Sequence, residues 1–200
     1  MPTYDEAYKH FSHGNELRAQ GAEDDALRAY HEALKHNPHL LPAQKAIDEI
    51  KQAREKKALQ LAKLYETEQK IDQAIAQYQE VLAFNQQSWR AHKGLALLYK
   101  EIGNMPKAII EIKKAIALKP HTCGLHFTLA QLCDLHNNFP SAIDEYNKAL
   151  AINPHDTIIL KQKETTIQIQ QLLNKLADDS DPFLFVDIGN LFLGKNMPEK

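Results

Sequence analysis

Ten histidines stand in this chain of 200 residues, and no residue type is more open to metal-ligand or acid-base chemistry. Their spacing argues for another origin. His92 and His126 are 34 residues apart, as are His121 and His155, and His39, His121 and His155 each follow a proline. Recurrence at a fixed step comes from a repeated unit, not from ligands converging on one ion. His10 and His13 have an i, i+3 spacing that suits a metal, but both fall where a helix would use them for packing. His31-Glu32 begins like the zinc-protease helix motif, yet the second histidine, His36, comes one residue too late. Asp179-Ser180-Asp181 has the donors for a divalent ion, though an isolated acidic triplet more commonly stops a helix. There is no glycine-rich phosphate loop and no Ser or Cys nucleophile in a known elbow. Cys123 and Cys133 fall on one predicted helix. At ~1.5 Å per residue they sit about 15 Å apart, too far to bridge, which fits a reduced, cytoplasmic setting. The expectation is no enzyme, no cofactor and no metal site.

The elements that carry these residues follow from the period. Ala62, Ala96 and Ala130 stand 34 apart, and so do Ala74, Ala108 and Ala142. Leu61, Leu95 and Leu129 keep the step, as do Tyr78, Ile112 and Tyr146. Residues 55–156 are therefore three contiguous copies of one unit. Gly14, Leu17, Ala26, Tyr30, Ala33 and Pro38 fit the same template, so residues 7–40 are a fourth copy. Each copy holds two apolar stripes at helical spacing, broken at Gly21, Gln69, Gly103 or Asn137. Three of these four are Gly or Asn, which accept the left-handed conformation that ends a helix. The unit is helix, tight turn, helix, and the recurrent alanines mark where two helices approach closely. A period of this length predicts an all-α, right-handed solenoid of four such units.

The remaining stretches depart from the period. Residues 41–54 are extra, and Ala43, Ile47, Ile50, Ala53, Ala58, Leu61 and Tyr65 continue one stripe across them. Pro42 suits the first turn of a helix, so 42–68 reads as one long helix, about four turns longer than its counterparts. It is either a spacer or an arm for dimerisation or swapping. Residues 157–177 predict a capping helix with Leu160, Ile167, Leu172, Leu173 and Leu176 on its apolar face. Beyond the helix-breaking Asp178-Asp179-Ser180-Asp181-Pro182 lies an apolar tail with Phe183, Phe185 and Phe192, which must contact some surface. A net charge of −2 argues against a dedicated nucleic-acid binder. No apolar run reaches membrane-spanning length, and residues 1–15 lack the apolar core of a secretion leader.

The third copy, with Leu95, Ala96, Tyr99, Ala108, Ile112, Ala115 and Pro120, resembles the tetratricopeptide repeat family, whose pattern is W-x2-L-G-x2-Y, A-x3-F, A, P. The tryptophan place instead holds His10, Ala58, His92 and His126. The resemblance implies a protein-protein interaction scaffold or adaptor with its peptide-binding groove on the first helix of each unit. The family's groove places fall on Tyr8, Phe11, Asn15 and Arg18, on Lys56, Leu59, Lys63 and Glu66, on Arg90, Lys93, Leu97 and Lys100, and on Gly124, Phe127, Gln131 and Asp134. Of the lysine, asparagine and arginine set with which chaperone-binding members clamp a terminal carboxylate, only Asn15 and Arg90 match. Phe11, Gln60 and Gly94 fill the other places, which argues against a cochaperone role. Lys56, Lys63, Arg90, Lys93 and Lys100 against Glu66 make the middle of the groove basic and point to an acidic peptide partner. The tail, with Asp178, Asp179, Asp181 and Asp187 among its phenylalanines, is one candidate ligand, binding in cis or from a second protomer. Its competing place is on the last helix, as ordinary structure. The alternative function is a self-assembling structural protein, a homodimer or larger, joined through helix 42–68 or by tail exchange. Neither reading includes nucleic acid or membrane insertion.

Overall fold

The computed structural model describes residues 4–178, 186–191 and 193. Among them all regular structure is α-helical. The helices are α1 (Tyr4–Ala19), α2 (Glu23–His36), α3 (Leu41–Thr67), α4 (Ile71–Phe84), α5 (Trp89–Glu101), α6 (Met105–Leu118), α7 (Cys123–Leu135), α8 (Phe139–Ile152) and α9 (Thr157–Asp178). Residues 186–191 are also helical. None of the described helices is long and apolar enough to cross a membrane. Contacts group the chain into two units, Met1–Gln86 and Gln87–Lys200.

The turn chemistry is the same in all four pairs. Gly21, Gln69, Gly103 and Asn137 have φ of 79°, 60°, 76° and 57°. The following amide donates back across the turn each time: Ala22 to Leu17 O, Lys70 to Tyr65 O, Asn104 to Tyr99 O and Asn138 to Cys133 O, at 2.7–2.9 Å. The left-handed residue donates to the carbonyl three before it, which completes a Schellman motif and occupies carbonyls the helix end would leave open. Gln69 thus occupies a conformation that a side chain with a Cβ resists.

In the first unit, α1 packs on α2 and α3 on α4. Ala7, Ala26 and Ala33 are fully buried, and Tyr30 lies so close over Gly14 that a Cβ there would meet its ring at 2.6 Å. The extended α3 starts with Pro42 in its first turn, as expected. Its stripe is covered within the unit: Ala43, Ala46, Ile47 and Ile50 join Tyr30, Ala33 and Leu40 in one core cluster, and Ala58 and Ala62 are buried further on. Ala53 departs from the expected stripe and is exposed. Glu23 and Asp24, in the first turn of α2, do not cap it; the N-cap is Ala22, without a side-chain bond. Both carboxylates reach α3 instead and grip Arg54, Glu23 on Nε at 2.8 Å and Asp24 on Nη1 at 2.7 Å. A charge-assisted fork to guanidinium outcompetes a neutral amide for the same oxygens.

In the second unit, α5 pairs with α6 and α7 with α8, and α9 packs on α8. One cluster runs through it, from Ala96, Ala108, Ile112 and Ala115 to Leu125, Leu132, Tyr146, Ala149 and Ile159. Ser88, Asn104 and Asn138 cap α5, α6 and α8 through their side-chain oxygens. The buried stripe of α9 is Ile159, Thr166 and Ile169, while Leu160 is 44% exposed, so the packed face is rotated from the one predicted. Gln69→Gly is expected to stabilise the protein by about 1 kcal/mol, because relief of the left-handed penalty outweighs the added chain entropy of glycine. Gly103→Ala should destabilise it by a comparable amount. Urea midpoints that move the other way would show that turn strain is not the controlling factor.

Candidate functional site

The groove places predicted from the family fall into two kinds once their partners are known. On α1, Tyr8 is exposed, and Phe11 is half-buried with its ring 5.8 Å from that of Tyr30. Asn15 accepts from Tyr30 OH at 2.8 Å, and Arg18 pairs with Glu49 of α3 at 2.9 Å. On α3, Leu59 is half-buried and Glu66 accepts from Tyr78 OH at 2.6 Å, while Lys56 and Lys63 are exposed without ion pairs among the described residues. Asn15, Arg18 and Glu66 are thus engaged in holding the first unit together.

The second unit repeats the pattern with a difference. On α7, Gly124 is exposed, Phe127 is half-buried 6.1 Å from the Tyr146 ring, and Gln131 donates to Gln162 of α9 at 3.1 Å. Asp134 is buried, and its Oδ2 accepts from Tyr146 OH and from Thr166 Oγ1, both at 2.9 Å. One carboxylate therefore joins α7, α8 and α9. Burial, together with the negative charge of Asp134 and the bond to it, pushes the Tyr146 phenol well up, so it remains a neutral donor. On α5 the corresponding tie is absent because Ile112 stands where the other copies carry Tyr30, Tyr78 and Tyr146. Arg90, Lys93, Leu97 and Lys100 lie at i, i+3, i+7 and i+10, on one face of α5. None of the three cations has an ion pair among the described residues; Arg90 stacks on Trp89 at 4.8 Å, and Leu97 is 41% exposed between them. Part of the tail is also placed. Asp187, Asn190 and Leu191 line a shallow cavity of about 390 Å³ with Gln168, Gln171, Leu172 and Lys175 of α9, and Ile188 is buried. Phe183, Phe185 and Phe192 lie outside the described residues.

Two polar clusters lie beyond the sequence reading. His92 Nδ1 is 2.6 Å from Glu111 Oε2, and His126 Nδ1 is 2.7 Å from Glu145 Oε2. Lys114 and Lys148 bond the other oxygens of the same carboxylates at 2.7 and 2.8 Å. His126 Nε2 also lies 2.8 Å from Pro120 O. These clusters occupy the place of the family tryptophan. The signal was available: Glu111 and Glu145 stand 34 apart, each 19 residues after its histidine. Among the described residues no group of three or more His, Cys, Asp or Glu has a metal-holding arrangement.

Residues 59–121 match the tetratricopeptide repeat family. No curated protein matches the chain. Among solved structures, MamA is similar at a TM-score of 0.53 and 23% identity, over 91% of this chain and 93% of that one. The first tetratricopeptide domain of Spaghetti (RPAP3), bound to an HSP90 peptide SRMEEVD, is similar at 0.57 and 14%, over 60% of this chain and 94% of that one. An O-GlcNAc transferase mutant from Thermobaculum terrenum is similar at 0.55 and 20%, over 60% of this chain, which spans only 23% of the transferase. The likeness is one of fold.

Burial pushes the Glu111 carboxyl up, but the hydrogen bonds from Lys114 and His92 outweigh it, and the group sits below its ordinary value of 4.5. A lowered carboxyl contributes stability that is full above the ordinary value and is lost as pH falls through the folded one. Glu111→Gln should therefore be less stable than the parent at neutral pH, with the gap closing as pH falls below the ordinary carboxyl value and through the lowered folded one. Urea unfolding at a series of pH values measures it, and a gap independent of pH would remove the ion-pair account.

Proposed function

We propose that this chain, whose residues 59–121 match the tetratricopeptide repeat family, is a non-enzymatic scaffold or adaptor that holds an acidic peptide segment of a partner against the basic face of α5. One observation carries the reading: Arg90, Lys93 and Lys100 stand without ion pairs among the described residues around an exposed Leu97. The equivalent polar groups Asn15, Arg18, Glu66 and Asp134 are held within their own units. Side chains held in a hydrogen-bond network cost free energy to redirect to a ligand, whereas unpaired cations already in place do not. Lys56 and Lys63 on α3 give the first unit a smaller basic face of the same kind. The Spaghetti domain, bound to the acidic peptide SRMEEVD, shows such a ligand on a similar fold. The carboxylate clamp is incomplete here, so the carboxylates along the peptide, more than its terminus, supply the attraction.

The tail reading narrows with the placement of residues 186–191 beside α9. That position supports the reading in which residues 186–191 pack on α9 as ordinary structure. The stripe on the first half of α3 is buried within the unit, which favours the adaptor reading over self-assembly through that helix.

Anisotropy titration of the full chain with a pool of labelled acidic peptides, SRMEEVD among them, and their Gln/Asn isosteres tests the proposal. Binding is expected for the charged peptides only, to fall with salt, and to weaken at least about tenfold on Arg90→Glu with Lys93→Glu. Equal binding of the neutral isosteres, or indifference to the double reversal, would overturn it.

A further inference from the structure

A second face of the third copy is set apart by its charge. Residues 89–122 hold seven Lys and Arg against two Glu, in a chain of net charge −2. Three of the seven form the α5 face. Three more, Lys107, Lys113 and Lys114, are exposed on α6 together with Pro106, Ile110 and Ala117. At about 100° per residue these six share one arc covering roughly a third of the helix circumference. It lies opposite the fully buried Ala108, Ile112 and Ala115. Ile110, at the centre of the arc, is 53% exposed. Lys107 lies over the Tyr99 ring at 5.4 Å, Lys114 bonds Glu111 at 2.7 Å, and Lys113 has no ion pair among the described residues.

The repeat supplies its own control. The same outward positions of α4 carry Asp72 and Glu80 and no cation, and those of α2 and α8 carry both signs. Solvation alone therefore does not call for lysine at these places. A face kept water-soluble needs charge of either sign, and it does not need a bare isoleucine inside a ring of one sign.

We propose that the outward face of α6 docks on an anionic bilayer surface. Lys107, Lys113 and Lys114 meet the headgroup phosphates and carboxylates, and Ile110 enters the interfacial layer. The lysine stems can lie along the apolar boundary while their ammonium groups stay with the headgroups. The geometry favours a bilayer over an acidic peptide. All six residues lie on one helix flank, which gives a peptide no second wall, while a bilayer asks only for a basic patch with an apolar tip. Three lysines and one isoleucine make a weak, reversible contact that depends on ionic strength. This surface is separate from the α5 face, and the proposal stands whether or not that face binds a peptide.

Co-sedimentation of the full chain with phosphatidylcholine vesicles, with and without phosphatidylserine, provides the test. Binding is expected only with phosphatidylserine and at low salt. Each basic residue near such a surface contributes a factor of about five, so Lys107→Glu with Lys113→Glu should weaken binding at least about tenfold. Ile110→Ser should weaken it less, and Lys93→Glu with Lys100→Glu should leave most of it. These positions are exposed or half-buried, and circular dichroism confirms that each variant is folded. No binding at low salt, equal binding to phosphatidylcholine alone, or loss only with the α5 variant would overturn the proposal. So would retention of an acidic polymer such as RNA through the α6 lysines without any vesicle binding.

Discussion

The close approach of paired helices at alanine is the constraint on which the rest depends. Ala26, Ala33, Ala62, Ala74, Ala96, Ala108, Ala115, Ala130, Ala142 and Ala149 are fully buried, and each lies where a larger side chain would hold two helices apart. A methyl group at those points lets tyrosine, leucine and isoleucine fill the grooves on either side at interior packing density. The same closeness brings the hydroxyls of Tyr30, Tyr78 and Tyr146 from the second helix of a pair to polar groups on the first. Helices held further apart would leave those hydroxyls, and the carboxylate of Asp134 above all, without the partners that make their burial tolerable.

Those bonds then determine which parts of the polar face remain open. A tyrosine that donates to Asn15, Glu66 or Asp134 turns a groove position into a strut. Where Ile112 replaces it, no donor reaches across to α5 from that place, and Lys100 remains open with Arg90 and Lys93 beside it. Whether a polar position is tied into its unit or left unpaired is therefore decided by a residue on the other helix of the pair. The His–Glu–Lys clusters at His92 and His126 belong to the scaffold side. Each puts charge into the space that an indole would fill, and each carboxylate is held on both oxygens, as a buried charge must be.

What the sequence discloses follows from what repetition and periodicity can encode. Period, turn positions and the length of α3 are backbone and packing properties, and they recur or break in ways visible in one dimension. Gln69 is the clearest case: neither Gly nor Asn, it adopts φ of 60° at the same place in the unit as Gly21, Gly103 and Asn137. Pairings between helices are not encoded locally. Glu23 and Asp24 have the composition of a cap and become the grip on Arg54, 31 and 30 residues away, because only the folded pair brings that guanidinium within reach. Leu160 and Ile159 are adjacent, and the rotation of α9 that buries one and exposes the other depends on α8. The helix and face of each polar position were legible, while its hydrogen-bond partners were not, since those depend on Tyr30, Tyr78, Glu49 and Thr166 arriving from elsewhere.

The helix α9 stands where a further copy of the unit would begin. Thr157 stands 34 residues after Cys123, so α9 begins where the first helix of another unit would. Asp156 caps it, accepting from the amides of Ile158 and Ile159 at 3.1 and 3.2 Å. One flank of α9 is used as the repeat requires, with Ile159 in the shared core and Thr166 bonded to Asp134. A following second helix would cover another flank, the one carrying Gln168, Gln171, Leu172 and Lys175. Residues 186–191 stand there instead, with Ile188 buried and Asp187 and Asn190 facing the same shallow cavity as the glutamines. A short helix of mixed polarity can cover the half-apolar flank of α9 while leaving a polar exterior, and a solenoid's terminal element needs both. A segment with that function is bound to the fold by the same apolar burial that orders the rest. Any partner that displaced it would have to restore the cover it gives to α9.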